Sequence, residues 1–452
     1  MQSRREFLVA GLLAGAAVAL GPALSMADAG PAFSAGAGRA DVVFDASLFP
    51  LDGFAGERDP LAVRVLLLDG GAARLAIAVV DLTSISDAVI ARFKAILGEV
   101  AGVEAGNAIV CASHTFSAPH VFAPGQAPGG SDTASNDAAL QAFDAAVHTA
   151  ATQAASVLQP ATLGFGQGIS RVNVNRDVET PSGWWLGAND AGYSDPTLGV
   201  LRIDRLDGRP LAILMNFAVQ SSIMDGSERA EGGRLITADL AGAAARHVEA
   251  HFGADTVALF LVGAAGDQAP YLQASRHVVA EDGSVGRSDI HEAGFTLVDL
   301  LGERLGGEAV RVAGGIEAGP VPALEIRRES IEVAAQVFSP RNAPKGPVTS
   351  FDYEPGGTVE VPIVLMRLGD VVLVGVQPEL SASIGARIRE SSPFALTLVA
   401  TMVDGAAKYM PDAQGYDRFT YEARSAPFAK GAAEAAASGI IEHINRMKEA
   451  GN

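Results

Sequence analysis

The sequence predicts an α/β fold in which mixed β-sheets are layered with helices, and two observations support this fold class. Apolar runs of strand length alternate with segments whose apolar residues recur at helical spacing, as in residues 86–100. Hydrophobic residues make up 48% of the 452 residues, which is ample for the core of a large layered domain. We therefore expect residues 30–452 to form one large domain.

Local sequence patterns predict the strands and helices of this domain. Residues 63–68 and 74–80, joined by Asp69-Gly70-Gly71, have the apolar pattern and turn chemistry of a β-hairpin. Residues 197–204 and 211–217 predict a second hairpin in the same way. Helices are predicted at residues 86–100, 136–158, 238–252, 288–305 and 381–389.

A polar or metal-binding residue type stands just beyond the carboxyl end of six apolar runs. In open α/β sheets, ligands bind in the crevice beyond the carboxyl ends of the strands, because the turns there are free to vary. The six segments therefore predict one shared pocket. Their end residues are Asp81, His114, Gln220, Asp267, Glu379 and Asp404.

Composition narrows the kinds of partner. The formal net charge of −19 repels polyphosphates and anionic lipid, which argues against nucleic acid binding. Cys111 is the single cysteine, so no intrachain disulfide can form. The oligomeric state is left open by the sequence.

The amino terminus predicts export. Residues 3–8 (SRREFL) carry paired arginines ahead of a short apolar stretch at residues 9–20, as in a twin-arginine signal. The stretch is too short for a stable membrane span, and cleavage after Ala27 or Ala29 would release the mature chain. We therefore expect residues 1–29 to be a signal peptide and the protein to be periplasmic or secreted.

Short motifs are spread over most of the chain. They are GRAD (38–41), SHTFSAP (113–119), NRDV (175–178), MNFAVQ (215–220), ADLAG (238–242), GDQAP (266–270), QPE (377–379) and the run of Tyr409, Tyr416, Tyr421 and Glu422. In order and spacing these motifs resemble those of the neutral and alkaline non-lysosomal ceramidases. The resemblance first implies kinship of fold with the catalytic domain of that family. The chain stops at Asn452, so we do not expect the small β-sandwich that follows the catalytic domain in the family.

The resemblance implies a zinc amidase that splits an N-acyl bond in sphingolipid metabolism. Carried over by position, His114, Glu379 and Tyr409 match three of the family's metal ligands. The fourth ligand, a histidine in the family, falls on Gln220, whose neutral amide oxygen is a poor zinc ligand. The resemblance thus predicts a weakened zinc site.

Two further family positions are changed. The second histidine of the first motif falls on Phe116, and the serine with a direct catalytic role falls on Ala269. Neither side chain can move a proton. Arg176 and Tyr421 keep groups that can stabilise an oxyanion, and Asp267 remains as a group that can handle a proton.

Three functions from different classes follow. The first is a divergent exported hydrolase of an amide bond in a small N-acyl or lipid-like substrate, with a metal-bound water as nucleophile and Glu379 or Asp267 handling protons. The second is a non-catalytic relative that binds an acylated or peptidic ligand in the same crevice. The third is a metal-free hydrolase that uses Asp267, Tyr421 and Arg176.

Overall fold

The computed structural model of the protein describes residues 33–128, 132–321, 323–339 and 343–451. The predicted signal peptide, residues 1–29, lies outside the described residues. Within the described ranges, no helix is long and apolar enough to cross a membrane.

The strands, numbered in chain order, form two larger sheets and four small ones among the described residues. The strands are β1 (Ser34–Asp41), β2 (Phe54–Glu57), β3 (Ala62–Asp69), β4 (Arg74–Val80), β5 (Ala108–Ala112), β6 (Gln159–Ile169), β7 (Asn173–Thr180), β8 (Gly183–Asn189), β9 (Thr197–Arg205), β10 (Pro210–Phe217), β11 (Arg234–Ile236), β12 (Val257–Val262), β13 (Gln268–Pro270), β14 (Ser275–Val279), β15 (Val285–Asp289), β16 (Leu324–Gln336), β17 (Pro355–Leu368), β18 (Val371–Val376), β19 (Glu379–Leu380), β20 (Leu396–Ala400) and β21 (Tyr409–Met410).

The α-helices connect and cover these sheets. They are α1 (Asp87–Ala101), α2 (Thr133–Ser156), α3 (Asp239–Phe252), α4 (Gly294–Gly314), α5 (Ala382–Glu390), α6 (Ala413–Asp417), α7 (Tyr421–Arg424) and α8 (Ala432–Ala450). Short 3-10 helices cover Ala46–Leu48, Ala105–Asn107 and His291–Ala293.

The larger sheets are mixed. One has eight strands in the order β12-β10-β9-β6-β1-β3-β4-β5, and the other has four in the order β16-β17-β18-β20. Most neighbours are antiparallel, but β4 and β5, β10 and β12, and β18 and β20 run parallel. Each parallel pair places two carboxyl ends at the same edge of its sheet.

Alternating side chains along the strands produce four layers. In β3, Val63, Val65 and Leu67 pack under helices α1 to α4, whereas Leu66 and Leu68 face the four-stranded sheet. On the far side of the four-stranded sheet, alternate residues of β18 pack against α5 and α8. The order of layers is therefore helices, sheet, sheet, helices, which confirms the predicted α/β class of mixed sheets layered with helices.

The eight-stranded sheet is strongly bent. Strand β12 stands at one edge of the strand order, yet it contacts β3, β4 and β5 near the other edge. The turns that follow β5, β10 and β12 are consequently brought together, although β5 is last in the strand order. This bend brings His114, after β5, close to Gln220, after β10.

Both predicted hairpins and four of the five predicted helices are confirmed to within a few residues. The prediction of a helix from residue 288 was wrong at its start, since α4 begins at Gly294. Residues up to Asp289 instead form β15, which pairs with β14. Pairing with a distant strand overrode the local helical pattern.

Helix α2 packs directly on β1 because β1 presents glycines to it. A Cβ atom added at Gly38 would lie 2.1 Å from the carbonyl oxygen of Ala150, and one at Gly36 would lie 2.1 Å from that of Ala154. Both obstacles are backbone atoms of the helix, so they move only if the helix moves.

We therefore expect Gly38→Ala to lower the free energy of unfolding by about 3 kcal/mol, because α2 must retreat from the sheet. Urea denaturation measures the change. Gly106→Ala is the matched control, since a Cβ atom there meets nothing within 4 Å. Equal stability of the two variants would contradict the packing described for α2.

Candidate active site

Three of the sequence-predicted residues meet beyond the strand ends. His114 follows β5, Gln220 follows β10 and Glu379 begins β19 just after β18. The first two turns are joined by backbone hydrogen bonds, from Ser221 N to His114 O (3.2 Å) and from Phe116 N to Ser221 O (3.0 Å). The polypeptide itself therefore fixes the approach of His114 and Gln220.

The ring of His114 is held in one tautomer. Its Nδ1 lies 2.6 Å from the carbonyl oxygen of Thr83, and a carbonyl can only accept, so Nδ1 carries a hydrogen. Nε2 of a neutral His114 then points a lone pair at Glu379 Oε2, 3.0 Å away. Two lone pairs at that separation need a shared cation, which is either a proton or a metal ion.

Gln220 connects this pair to Arg176. Arg176 Nη1 donates to Gln220 Oε1 (3.0 Å), and Gln220 Nε2 donates to Glu379 Oε2 (2.9 Å). A guanidinium has no acceptor, so the amide oxygen must face Arg176 and the amide NH₂ must face the carboxylate. The oxygen of Gln220 is thus already occupied.

Glu379 is ionised and Tyr409 is not. Burial opposes the charge of Glu379, but the neighbouring His114, Arg176 and Gln220 outweigh it and lower the pKa of the carboxyl. Tyr409 is paired in parallel register with Glu379 through β19 and β21. Burial first, and then the charge of Glu379, raise the pKa of the Tyr409 phenol.

Arg176 lies at the centre of the cluster. Its side chain is buried, with 8% of the residue exposed, and its Nε donates to Glu422 Oε1 at 2.6 Å. The carbon of the guanidinium lies 5.1 Å from the ring centre of Tyr409 and 6.0 Å from that of Tyr421. Two aromatic faces and one carboxylate therefore stabilise this cation away from water.

Asp177 and Glu422 form a second part of the cluster that sequence reasoning did not assign to the site. Burial first, and then the charge of Glu422, raise the pKa of Asp177 well above its ordinary value. The protonated form of Asp177 is thereby favoured, and Glu422 is the carboxylate that pairs directly with Arg176. Glu422 belongs to the Tyr421-Glu422 motif found in the sequence, but nothing in the sequence indicated that its carboxylate lies against Arg176.

Asp267 lies behind the cluster and lines neither of the two cavities described below. Its Oδ1 accepts from the backbone N–H of Ala382 (2.8 Å) at the start of α5, and its carbonyl oxygen accepts from Arg176 N (2.9 Å). Burial, more than any other factor, raises the pKa of this carboxyl to about 7. Asp267 thus holds β7 and α5 in place.

The prediction of one pocket beneath all six strand ends was wrong for three of them: Asp267, which lines neither cavity, Asp81 and Asp404. Asp81 accepts from the backbone N–H of Ala62 and pairs with buried Arg64. Asp404 pairs with Lys94 and Arg328 on another face. Both carboxylates are engaged by basic partners that a strand-end pattern does not reveal.

Two cavities meet at the cluster. The Trp185 cavity, with a volume of ≈ 470 Å³, reaches Arg176 and Gln220. The His114 cavity, of ≈ 730 Å³, reaches His114 and Glu379. Phe116, Tyr409 and Tyr421 line both and form an aromatic wall between them.

The changed family positions also face these spaces. Phe116 packs edge-on against His114, with ring centres 4.8 Å apart, and Ala269 lines the Trp185 cavity. Neither supplies a polar atom to the cavity wall. Trp185, which the sequence did not assign to the site, lines the same cavity as Ala269.

The donor atoms fit a zinc ion in part. His114 and Glu379 present a nitrogen and an oxygen to a common cation, and Tyr409 is held in register beside Glu379. Three protein ligands are the number that catalytic zinc sites use. Gln220 does not fit, because Arg176 engages its oxygen. The described residues contain no group of three or more His, Cys, Asp or Glu side chains placed to hold a metal, since the cluster offers only His114 and Glu379 of these types near Gln220.

The pKa of Asp267 predicts a specific pH dependence. The folded-state pKa is about 7 against an ordinary 3.8, so the folded protein binds more protons than the unfolded chain between these values. Stability from this group is complete below pH 3.8 and is lost as the pH rises to about 7, by up to about 1.4 kcal/mol per pH unit.

We expect Asp267→Asn to remove part of this loss. The free energy of unfolding, measured in urea at pH 5 and pH 8, should fall less in the variant than in the parent protein. Asp207→Asn is the control, because the pKa of exposed Asp207 is lowered and the group does not titrate in this window. An unchanged pH slope in Asp267→Asn would show that Asp267 is already ionised in the folded protein.

No protein-family model matches this chain, and no curated protein matches it in sequence. Two solved structures are similar in fold: a ceramidase complexed with C2, with a TM-score of 0.70, and the neutral ceramidase from Pseudomonas aeruginosa, with a TM-score of 0.69. Each is 19% identical in sequence, and each match covers 92% of this chain and 75% of the other. The predicted kinship of fold is confirmed: this chain has the fold of these ceramidase structures.

Proposed function

We propose that this protein is a hydrolase that cleaves the amide bond of an N-acyl substrate. The observation that supports this most is the contact of His114 Nε2 with Glu379 Oε2 at the wall of a cavity, in a tautomer that requires a shared cation. The solved structures of similar fold are ceramidases, so amide cleavage is the reaction that their names associate with this architecture.

The cation in this proposal is zinc, held by His114, Glu379 and Tyr409. Zinc supplies a Lewis acid that polarises a carbonyl oxygen and lowers the pKa of a water molecule. Gln220 would not be a ligand; it donates a hydrogen bond to Glu379 and so orients that carboxylate. The positive charge of nearby Arg176 weakens the affinity for a dication.

Arg176 and Tyr421 bind the substrate carbonyl in this proposal. Both line the Trp185 cavity, and Arg176 is fixed by Glu422 and Gln220 before any substrate arrives. A preorganised buried cation stabilises a developing oxyanion more than an exposed one does. The raised pKa of Arg176 keeps its charge at every working pH.

Proton transfer falls to Glu379. Phe116 and Ala269 offer no ionisable group, and Asp267 lies outside both cavities. Glu379 is ionised and buried, and its Oε2 is engaged by His114 and Gln220, so its Oε1 would accept the proton of an attacking water and pass it to the leaving amine nitrogen. The role assigned to Asp267 is to position Arg176 and α5.

A binding protein without catalysis is the second candidate. The observation that favours it is the replacement of proton-handling groups by Phe116 and Ala269 at the cavity walls. A metal-free hydrolase using Arg176 and Tyr421 is a third, but it loses Asp267 as its base for the reason given above.

Metal analysis and two variants test the proposal. We expect near-stoichiometric zinc in the purified protein, and we expect His114→Ala and Glu379→Ala to lose most of it, because each removes one donor of a three-ligand site. Hydrolysis of N-acyl sphingoid bases and N-acyl amino acids should fall at least a hundredfold in both variants.

His247→Ala is the control for that experiment, since this partly buried histidine lies on α3, away from both cavities. Zinc that survives both site substitutions would place the metal elsewhere. Turnover that survives them without zinc would favour the metal-free hydrolase, and zinc without turnover on any substrate would favour the binding protein.

We also propose export through the twin-arginine pathway, on the strength of residues 3–8 and the apolar stretch after them. Replacing Arg4 and Arg5 together by lysine should leave the protein in the cytoplasm, as shown by cell fractionation of an epitope-tagged full chain. Periplasmic protein in that variant would point to another export route or to release by lysis.

A further inference from the structure

Three side chains that line the Trp185 cavity each have a polar atom without a hydrogen-bond partner among the described residues. The atoms are Arg176 Nη2, Trp185 Nε1 and Ser222 Oγ, and each is buried, with almost no accessible surface. The phenol of Tyr409 also interacts with the Arg176 guanidinium, and a phenol oxygen can accept a hydrogen bond, so Nη2 is the least isolated of the three atoms. A buried donor without an acceptor costs roughly 1–3 kcal/mol, so three around one cavity indicate a ligand rich in acceptors.

The parent residues are fixed by the fold. Trp185 is 4% exposed and packs edge-on against Tyr421 with ring centres 5.7 Å apart, and Ser222 is 3% exposed. Arg176 is fixed by Glu422 and Gln220. The three groups are therefore preorganised around the space between them.

The charge around the same cavity differs from that of the whole chain. Its lining includes the cations Arg176, Arg287 and Lys345. Arg287 pairs with Asp225 and Arg176 with Glu422, so Lys345 carries the positive charge that has no ion-pair partner among the described residues. The histidine in the lining, His277, is neutral, because burial lowers its pKa to about 4. A cationic cavity in a protein with a net charge of −19 selects a compact anion rather than a polyanion.

The cavity also lies at the right distance from the reacting groups. Arg176 and Glu379 are joined through the single side chain of Gln220, by contacts of 3.0 and 2.9 Å. In an N-acyl amino acid, the carboxylate carbon is two bonds from the amide nitrogen. A substrate with its carbonyl at Glu379 would therefore place its carboxylate next to Arg176.

We propose that the Trp185 cavity binds the carboxylate of an N-acyl amino acid, so that the substrate has an anionic head group. This inference rests on the proposed amide hydrolysis for the position of the scissile bond. The acyl chain occupies the His114 cavity, whose lining includes Ile85, Val121, Phe122, Phe338 and Met402. Trp185 Nε1 and Ser222 Oγ donate to the carboxylate oxygens, and Lys345 adds charge. Arg176 Nη2 carries two hydrogens, so it donates one to the carboxylate and the other to the substrate carbonyl.

The test is a binding experiment that needs no turnover. In 4-oxoundecanoic acid a CH₂ group replaces the amide NH of N-octanoylglycine, so the molecule cannot be hydrolysed, and 4-oxoundecanamide is its neutral match. Isothermal titration calorimetry with the full chain should show the acid binding at least tenfold more tightly than the amide. Lys345→Met and Ser222→Ala should each reduce that ratio about threefold.

Lys448→Met is the matched control, because Lys448 pairs with Asp370 on the outer surface, away from both cavities. It should leave the ratio unchanged. Equal affinity for the two ligands, or a ratio that neither Lys345→Met nor Ser222→Ala alters, would overturn the inference.

A separate assay keeps the two proposals distinguishable. If the acid is preferred but N-octanoylglycine is not hydrolysed, the carboxylate site stands and the proposed hydrolysis fails. If N-octanoylglycine and its glycinamide counterpart are hydrolysed with equal kcat/KM, hydrolysis stands and the carboxylate site is wrong.

Discussion

The hydrogen bond from His114 Nδ1 to the carbonyl oxygen of Thr83 is the interaction on which the geometry of the candidate active site depends. By accepting from Nδ1 of His114, this oxygen directs the lone pair of Nε2 at an ionised carboxylate. Such a contact is repulsive unless a positive charge lies between the two atoms. The backbone thus creates a demand for a cation at the boundary of two cavities, and the choice between a proton and zinc sets the chemistry that the fold can support.

Around that point, buried charges are balanced in pairs. Arg176 pairs with Glu422, and the raised pKa of Asp177 favours the neutral form of that carboxyl beside the pair. Gln220 then separates the Arg176 cation from Glu379 without leaving either end of its amide unsatisfied. A network in which nearly every member has a partner is rigid, so its remaining unpaired donors are set in fixed directions.

Much of the fold could be predicted from the sequence because strands and helices follow local periodicity. The strand-end rule also found His114, Gln220 and Glu379, whose turns meet where the eight-stranded sheet bends. It failed where a carboxylate finds a basic partner from a distant segment, as Asp404 does in Arg328. Such partners depend on tertiary packing, for which a single sequence carries no periodic signal.

The same limit explains what was missed in the candidate site. Glu422 lies 246 residues from Arg176 in the chain, and Trp185 reaches the cavity from a hairpin of a small sheet. Similarity of short motifs selected His114, Glu379 and Tyr409 as candidate ligands, but it gave no information about a cavity lined by residues outside those motifs. Such a lining forms only when folding brings the surfaces of several strands and helices together.

The aromatic wall of Phe116, Tyr409 and Tyr421 has a consequence for traffic through the molecule. Under the proposed hydrolysis, a substrate that reaches both cavities would cross this wall at its scissile bond, with its acyl chain on one side and its head group on the other. After cleavage, the two products would lie in separate cavities and could leave independently. If product release is slower than the chemical step, the slower of the two exits would limit turnover.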